Sequence, residues 1–167
     1  MDDKIILRRM KESDAKDVAA ICKKIFGKHG APRRNHFADV ARSWRHKYFV
    51  AELDGKIVAC MGARIADFYE DYYEAKRDEA KIEIVAVDPD YQGQGIGTKL
   101  FAKLIAELDE KGVKVNSLLV HPSNTPAIEF YERFDFKGFD CPKRYPDAEP
   151  DMMIMIRFNN MEESEES

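Results

Sequence analysis

Short runs in which apolar and β-branched residues dominate punctuate the chain, and each predicts a strand. They fall at residues 5–9, 48–53, 57–63, 82–87, 115–120 and 151–158. The second and third are joined through Asp54-Gly55, a dipeptide suited to a two-residue hairpin turn. A different period appears from Ala15 onward. Val18, Ala19, Ile21, Cys22 and Ile25 share an approximate helical face that starts after Ser13-Asp14 and ends at Gly27. Residues 37–44 predict a second short helix, after a basic irregular stretch, K-H-G-A-P-R-R-N-H. Leu100, Phe101, Leu104, Ile105 and Leu108 line one face of a helix over residues 98–110, which Gly112 stops. Pro126 in a first turn, with Asn124 or Thr125 as cap, predicts a last helix over residues 126–133. No internal repeat or long linker divides these elements.

Between the strand at 82–87 and the long helix lies the most informative segment. Asp88-Pro89-Asp90 ends the strand, because proline cannot donate to a ladder. Gln92-Gly93-Gln94-Gly95-Ile96-Gly97 follows, with three glycines in five positions. Glycine permits positive φ and a close approach of ligand to backbone. A helix N-terminus adds unpaired N–H groups and partial positive charge. Together they make a cradle for an anion such as a phosphate or pyrophosphate. The spacing is neither the G-x-x-x-x-G-K-[ST] of a nucleoside-triphosphate loop nor the full dinucleotide fingerprint.

Composition narrows the partners. The 167 residues suit one domain, and 44% hydrophobic residues are enough for a core. The net charge of −4 weighs against a nucleic-acid binder. Three cysteines without a C-x-x-C pair argue against a disulfide framework and a structural metal, so free thiols in the cytoplasm are expected. No apolar run reaches membrane-spanning length, and the N-terminus lacks the apolar core of a signal peptide, so no membrane partner is expected.

Residues 85–100, V-A-V-D-P-D-Y-Q-G-Q-G-I-G-T-K-L, and residues 121–139, H-P-S-N-T-P-A-I-E-F-Y-E-R-F-D-F-K-G-F, resemble two blocks of the GNAT superfamily of acyl-CoA-dependent N-acyltransferases. Gln92, Gly95 and Gly97 match its [QR]-x-x-G-x-[GA] pattern, and Asn124, Ala127, Tyr131, Phe136 and Gly138-Phe139 match the second block. The resemblance implies a mixed α/β (α+β) fold. Its twisted, mostly antiparallel sheet of six to seven strands would be flanked by about four helices, with a splayed strand pair at the cofactor site. The domain would cover residues 4–158, with residues 159–167 an acidic, disordered tail.

The same resemblance implies an N-acetyltransferase acting by direct attack of a primary amine on acetyl-CoA, without a metal; the alternative is a non-catalytic acyl-CoA sensor on the same fold. The backbone of Val85 and Val87 would pair with the pantetheine amides. Backbone N–H groups of Gln92, Gly93, Gln94, Gly95, Ile96, Gly97 and Thr98 would hold the pyrophosphate, and Asn124 would meet the pantetheine arm while capping a helix. Tyr131 would be the general acid that protonates the departing thiolate. Glu83, on the strand two residues before Val85, is the candidate base, with His121 an alternative. The glutamate that some members carry twelve residues before the tyrosine is Leu119 here.

The acceptor stays open between a small amine and a peptide N-terminus. Asp67, Glu70, Asp71 and Glu74 interleave with Phe68, Tyr69, Tyr72 and Tyr73, a composition suited to a cationic amine, with Glu70 and Tyr73 as candidate contacts. Tyr145, in a tyrosine-proline loop, resembles a peptide-binding residue of the protein N-terminal branch. Arg33, Arg34 and His36 would equally suit an acidic group. Dimerisation is undecided by the sequence.

Overall fold

The computed structural model of the chain describes residues 4–65, 79–140 and 151–159. In chain order the elements are β1 (Ile5–Arg9), a 3-10 turn (Glu12–Asp14), α1 (Ala15–Gly30), α2 (Arg34–Ala41), β2 (His46–Leu53), β3 (Lys56–Ile65) and β4 (Glu79–Val87). A second 3-10 turn (Pro89–Tyr91), α3 (Ile96–Glu110), β5 (Val115–Val120), α4 (Thr125–Glu132), β6 (Lys137–Asp140) and β7 (Met153–Phe158) follow. The strand order is β1-β2-β3-β4-β5-β7-β6. Pairing is antiparallel for β1/β2, β2/β3, β5/β7 and β6/β7, and parallel for β4/β5. This is the mixed, mostly antiparallel α/β sheet with four helices that the sequence implied. Its seventh strand, β6, was not among the runs picked out by pattern.

The described residues fall into two compact units: 4–64 with 83–107, and 65, 79–82, 108–140 and 151–159. In the first unit the two faces of the sheet bury different helices. Val18, Ile21 and Cys22 of α1 and Phe37 and Val40 of α2 form one cluster with Tyr48, Val50, Cys60, Ile84 and Ala86. On the other face lies α3. Its Gly97 stands beside Val87 and Met61, and its Lys103 ammonium sits 5.6 Å above the Phe49 ring. Leu100, Phe101 and Leu104 are fully buried, as the period of the helix predicts. Each such side chain contributes about 1.5–3 kcal/mol through removal from water.

Turn chemistry explains the local geometry. Asp54 (φ 51°) and Gly55 (φ 81°) both occupy the left-handed region, as a two-residue hairpin turn demands. Gly27 interrupts α1 with φ 78°, so the expected stop is a kink, with helical backbone continuing to Gly30. Helix α2 begins and ends three residues earlier than the pattern predicts. Asp14 makes no cap bond to α1; its carboxylate instead accepts from the Lys11 N–H (2.7 Å) and binds the Arg8 guanidinium at 2.8 and 3.0 Å.

In the second unit β5 pairs with β7 along its whole length, from Val115↔Phe158 to Val120↔Met153. Its parallel ladder with β4 comprises Glu79↔Val115, Ala80↔Asn116 and Lys81↔Ser117, and the rest of β4 lies outside that ladder. Arg157 of β7 clamps Asp109 with two bonds of 2.8 and 2.9 Å.

Candidate active site

The glycine turn between β4 and α3 is made of exposed backbone. Gly93 and Gly95 both have φ 80°, and nothing lies within 4 Å of where a Cβ would stand on either. The Lys99 N–H donates to the Gly95 carbonyl at 3.2 Å, the first bond of α3. The N–H groups of Ile96, Gly97 and Thr98 therefore fall in the first helical turn, where no carbonyl of the helix itself reaches them. Ile96 is buried and anchors the turn, whereas residues 92–95 face solvent. The Gln92 side-chain amide donates back to the Val87 carbonyl at 3.1 Å.

Beneath this turn Asp88 is 2% exposed. Its N–H donates to the Val58 carbonyl (2.8 Å), and its carboxylate accepts from the Asp90 N–H (3.0 Å) and the Lys24 ammonium (3.1 Å). Burial pushes the Asp88 carboxyl up, but these donors outweigh it and hold the group below its ordinary value.

Glu83 lies in a cluster of side chains from three strands. The Tyr48 hydroxyl donates to Glu83 Oε1 at 3.0 Å, His46 Nε2 lies 3.5 Å from the same oxygen, and Arg64 Nε lies 3.4 Å from Oε2. Sequence reasoning missed all three partners. Period-2 alternation would have put His46 and Tyr48 on one face of β2, but nothing local points that face at Glu83. Burial lowers the pKa of His46, and the positive charges of Arg64, His36 and Arg45 add to that, against the opposing pull of Glu83.

Glu83 bonds Tyr48, whose cluster includes Ile84 and Ala86, whereas Val87 stands beside Gly97 of α3.

Tyr131 stands near the end of α4, half-buried, with Phe130 and Phe136 ring centroids at 5.5 and 6.0 Å. Burial pushes its phenol up to about 12. Asn124 caps α4, its Oδ1 accepting the Ala127 N–H at 3.3 Å. At His121 the Ser123 N–H donates to Nδ1 (3.3 Å), and the Ser123 hydroxyl lies 2.7 Å from the same nitrogen. Glu70, Tyr73 and Tyr145 lie outside the described residues.

Fold and turn together define a class: a mixed α/β protein with an exposed glycine turn opening the helix that follows its fourth strand. Residues 15–136 match the model of the acetyltransferase (GNAT) family, and the chain belongs to that family.

An uncharacterized N-acetyltransferase of Methanocaldococcus jannaschii is 39% identical over 99 residues, spanning 58% of this chain and 41% of that protein. The ribosomal protein bS18-alanine N-acetyltransferase of Escherichia coli K12 is 42% identical over 81 residues, spanning 47% of this chain and 55% of its own length. The matched region thus spans about half the length of these curated relatives. Among solved structures, the ribosomal-protein-S18-alanine N-acetyltransferase from Escherichia coli superposes with TM-score 0.70 at 27% identity, covering 92% of this chain and 91% of that one. The PaiA N-acetyltransferase from Thermoplasma acidophilum, solved with coenzyme A, gives TM-score 0.73 at 16% identity and 93% and 99% coverage, a likeness of fold.

Proposed function

We propose that residues 4–158 catalyse transfer of an acetyl group from acetyl-CoA to a primary amine by direct attack in a ternary complex. The observation that carries this reading is the turn at residues 92–98. Two left-handed glycines leave open space above exposed backbone, and a helix begins directly after them. A diphosphate fits such a cradle without needing a basic side chain, which suits an acidic protein. The backbone N–H groups of Gln92, Gly93, Gln94, Gly95, Ile96, Gly97 and Thr98 would hold the pyrophosphate. Val85 and Val87, on the part of β4 outside the parallel ladder, would offer backbone groups to the pantetheine amides. Asn124 would orient the same arm while capping α4.

When bound, acetyl-CoA supplies the activated thioester and leaves as a thiolate. Glu83 would take the proton of the acceptor's ammonium, exposing the amine lone pair. Tyr131 would donate its phenolic proton to the thiolate. A phenol pushed up to about 12 stays protonated throughout the neutral range, so the proton is available at that moment. The acceptor we favour is the N-terminal amine of a peptide. The Escherichia coli relative is named for acetylating the alanine of a ribosomal protein, and Tyr145 would contact the peptide.

The test is release of free CoA from acetyl-CoA with a panel of amines and N-terminal peptides, alongside calorimetry with CoA. Turnover with at least one acceptor and a loss of about a hundredfold in kcat for Tyr131→Phe are expected. Absence of both turnover and CoA binding overturns the reading. Tight CoA binding without transfer points instead to a sensor.

A further inference from the structure

Tyr48 and Gly62 face each other in the β2/β3 register. A Cβ placed on Gly62 would collide with the Tyr48 ring at Cδ1, Cγ and Cε1. The phenol therefore occupies the space of the side chain that β3 lacks at this point. Lying across β3, it delivers its hydroxyl to Glu83 Oε1 on β4 at 3.0 Å. The register of β2 also sets His46 opposite Arg64, so both flank the same carboxylate. The three partners hold the two oxygens differently: the hydroxyl and His46 Nε2 meet Oε1, and Arg64 meets Oε2.

We propose that Tyr48 is a positioning residue for proton transfer: its hydroxyl, passed through the gap at Gly62, fixes the rotamer of Glu83, the group that accepts the ammonium proton. This rests on the reading of Glu83 as proton acceptor. A phenol is suited to the task because it can be buried without adding charge. Burial, reinforced by the negative charge of Glu83, pushes the Tyr48 phenol far up, so it remains a donor at every working pH. His46, kept neutral by burial and by Arg64, His36 and Arg45, does not compete for the proton at neutral pH. In the transfer itself the ammonium N–H bond breaks and an O–H bond forms on Glu83, while Tyr48 keeps its own proton.

The experiment compares kcat and KM across pH for the full chain, Tyr48→Phe, Gly62→Ala and Glu83→Gln, with an acceptor found by CoA release and folding checked by thermal melts. Tyr48→Phe keeps the ring and removes only the donor. Its kcat/KM is expected to fall about tenfold at neutral pH through kcat. KM for acetyl-CoA should stay unchanged, so that the loss falls on kcat alone. Gly62→Ala, which displaces the ring without touching the hydroxyl, is expected to reproduce that split between kcat and KM; either folded variant decides the matter. If Glu83→Gln is inactive while Tyr48→Phe and Gly62→Ala keep the wild-type kcat, the positioning role is overturned and the base survives. If Glu83→Gln retains wild-type activity, the base reading fails, and this inference with it.

Discussion

The first unit carries two candidate functional regions built on opposite plans. The turn at residues 92–95 offers main-chain groups and glycines; it presents no titratable side chain of its own. The Glu83 cluster consists of side chains, carried by three strands and, for Tyr48 and Glu83, 35 positions apart in sequence. The turn's contribution to anion binding should be insensitive to pH, since N–H groups do not titrate. The cluster should impose pH dependence on anything that uses it. The difference teaches where binding and chemistry are expected to separate: donor affinity with the turn, rate with the cluster.

Four substitutions probe that separation. Glu83→Gln should lower kcat by about two to three orders of magnitude and leave the acetyl-CoA dissociation constant unchanged; steady-state rates and calorimetry check both, and a large loss of CoA affinity would break the division. Gly95→Ala should act in the opposite sense. A left-handed backbone costs a residue with a Cβ about 1–2 kcal/mol, so KM for acetyl-CoA should rise about tenfold with kcat nearly intact.

Asp88→Asn tests the support of the turn, and its effect is on stability. Asp88 has a folded-state pKa below its ordinary value of 3.8. Its contribution is therefore complete above that value and is lost as pH falls through the lower folded-state pKa. The wild type should lose thermal stability more steeply below about pH 4 than the variant, which starts about 1 kcal/mol less stable at neutral pH. Gly97→Ala should do least. Its φ is outside the left-handed region, and an added Cβ would meet Val87 Cγ2 at 3.4 Å, an ordinary contact. Changes in melting temperature within a degree or two and an unaltered KM are expected, since Ala also favours the helix. Equal effects at Gly95 and Gly97 would show that glycine content matters, and conformation does not.

The turn was legible in the sequence because its determinants are contiguous: Gln92, Gly93, Gly95, Gly97 and the helix after them. The hairpin at Asp54-Gly55, the face of α3 and the Asn124 cap were legible for the same reason. What escaped the reading depends on other parts of the chain. Strand β6 is four residues, K-G-F-D, too short for a period, and it owes its state to pairing with β7, Gly138 opposite Met155. The helix start at Ser13-Asp14 was legible, but the turn of the Asp14 carboxylate toward Arg8 and Lys11 was not. Tyr48, His46 and Arg64 carry no motif. Gly62, an unremarked glycine inside a strand, was the one local hint, since such a residue often marks the close approach of another group.

The bonds made by Asp88 have a thermodynamic consequence for whatever occupies the turn. The tie to Val58 secures the end of β4 to the neighbouring hairpin strand, and the Asp90 and Lys24 bonds fold the following residues back on that point. A cradle braced in this way has much of its ordering entropy removed during folding, before a ligand arrives. Less of the favourable contact energy is then consumed in stiffening the loop, so an anion can be held by neutral amides alone. In calorimetric terms, an unbraced turn would show the same contacts with a larger entropic penalty. The braced one should bind with a smaller loss of conformational freedom, and the amide protons of Asp88 and Asp90 should exchange slowly even in the free protein.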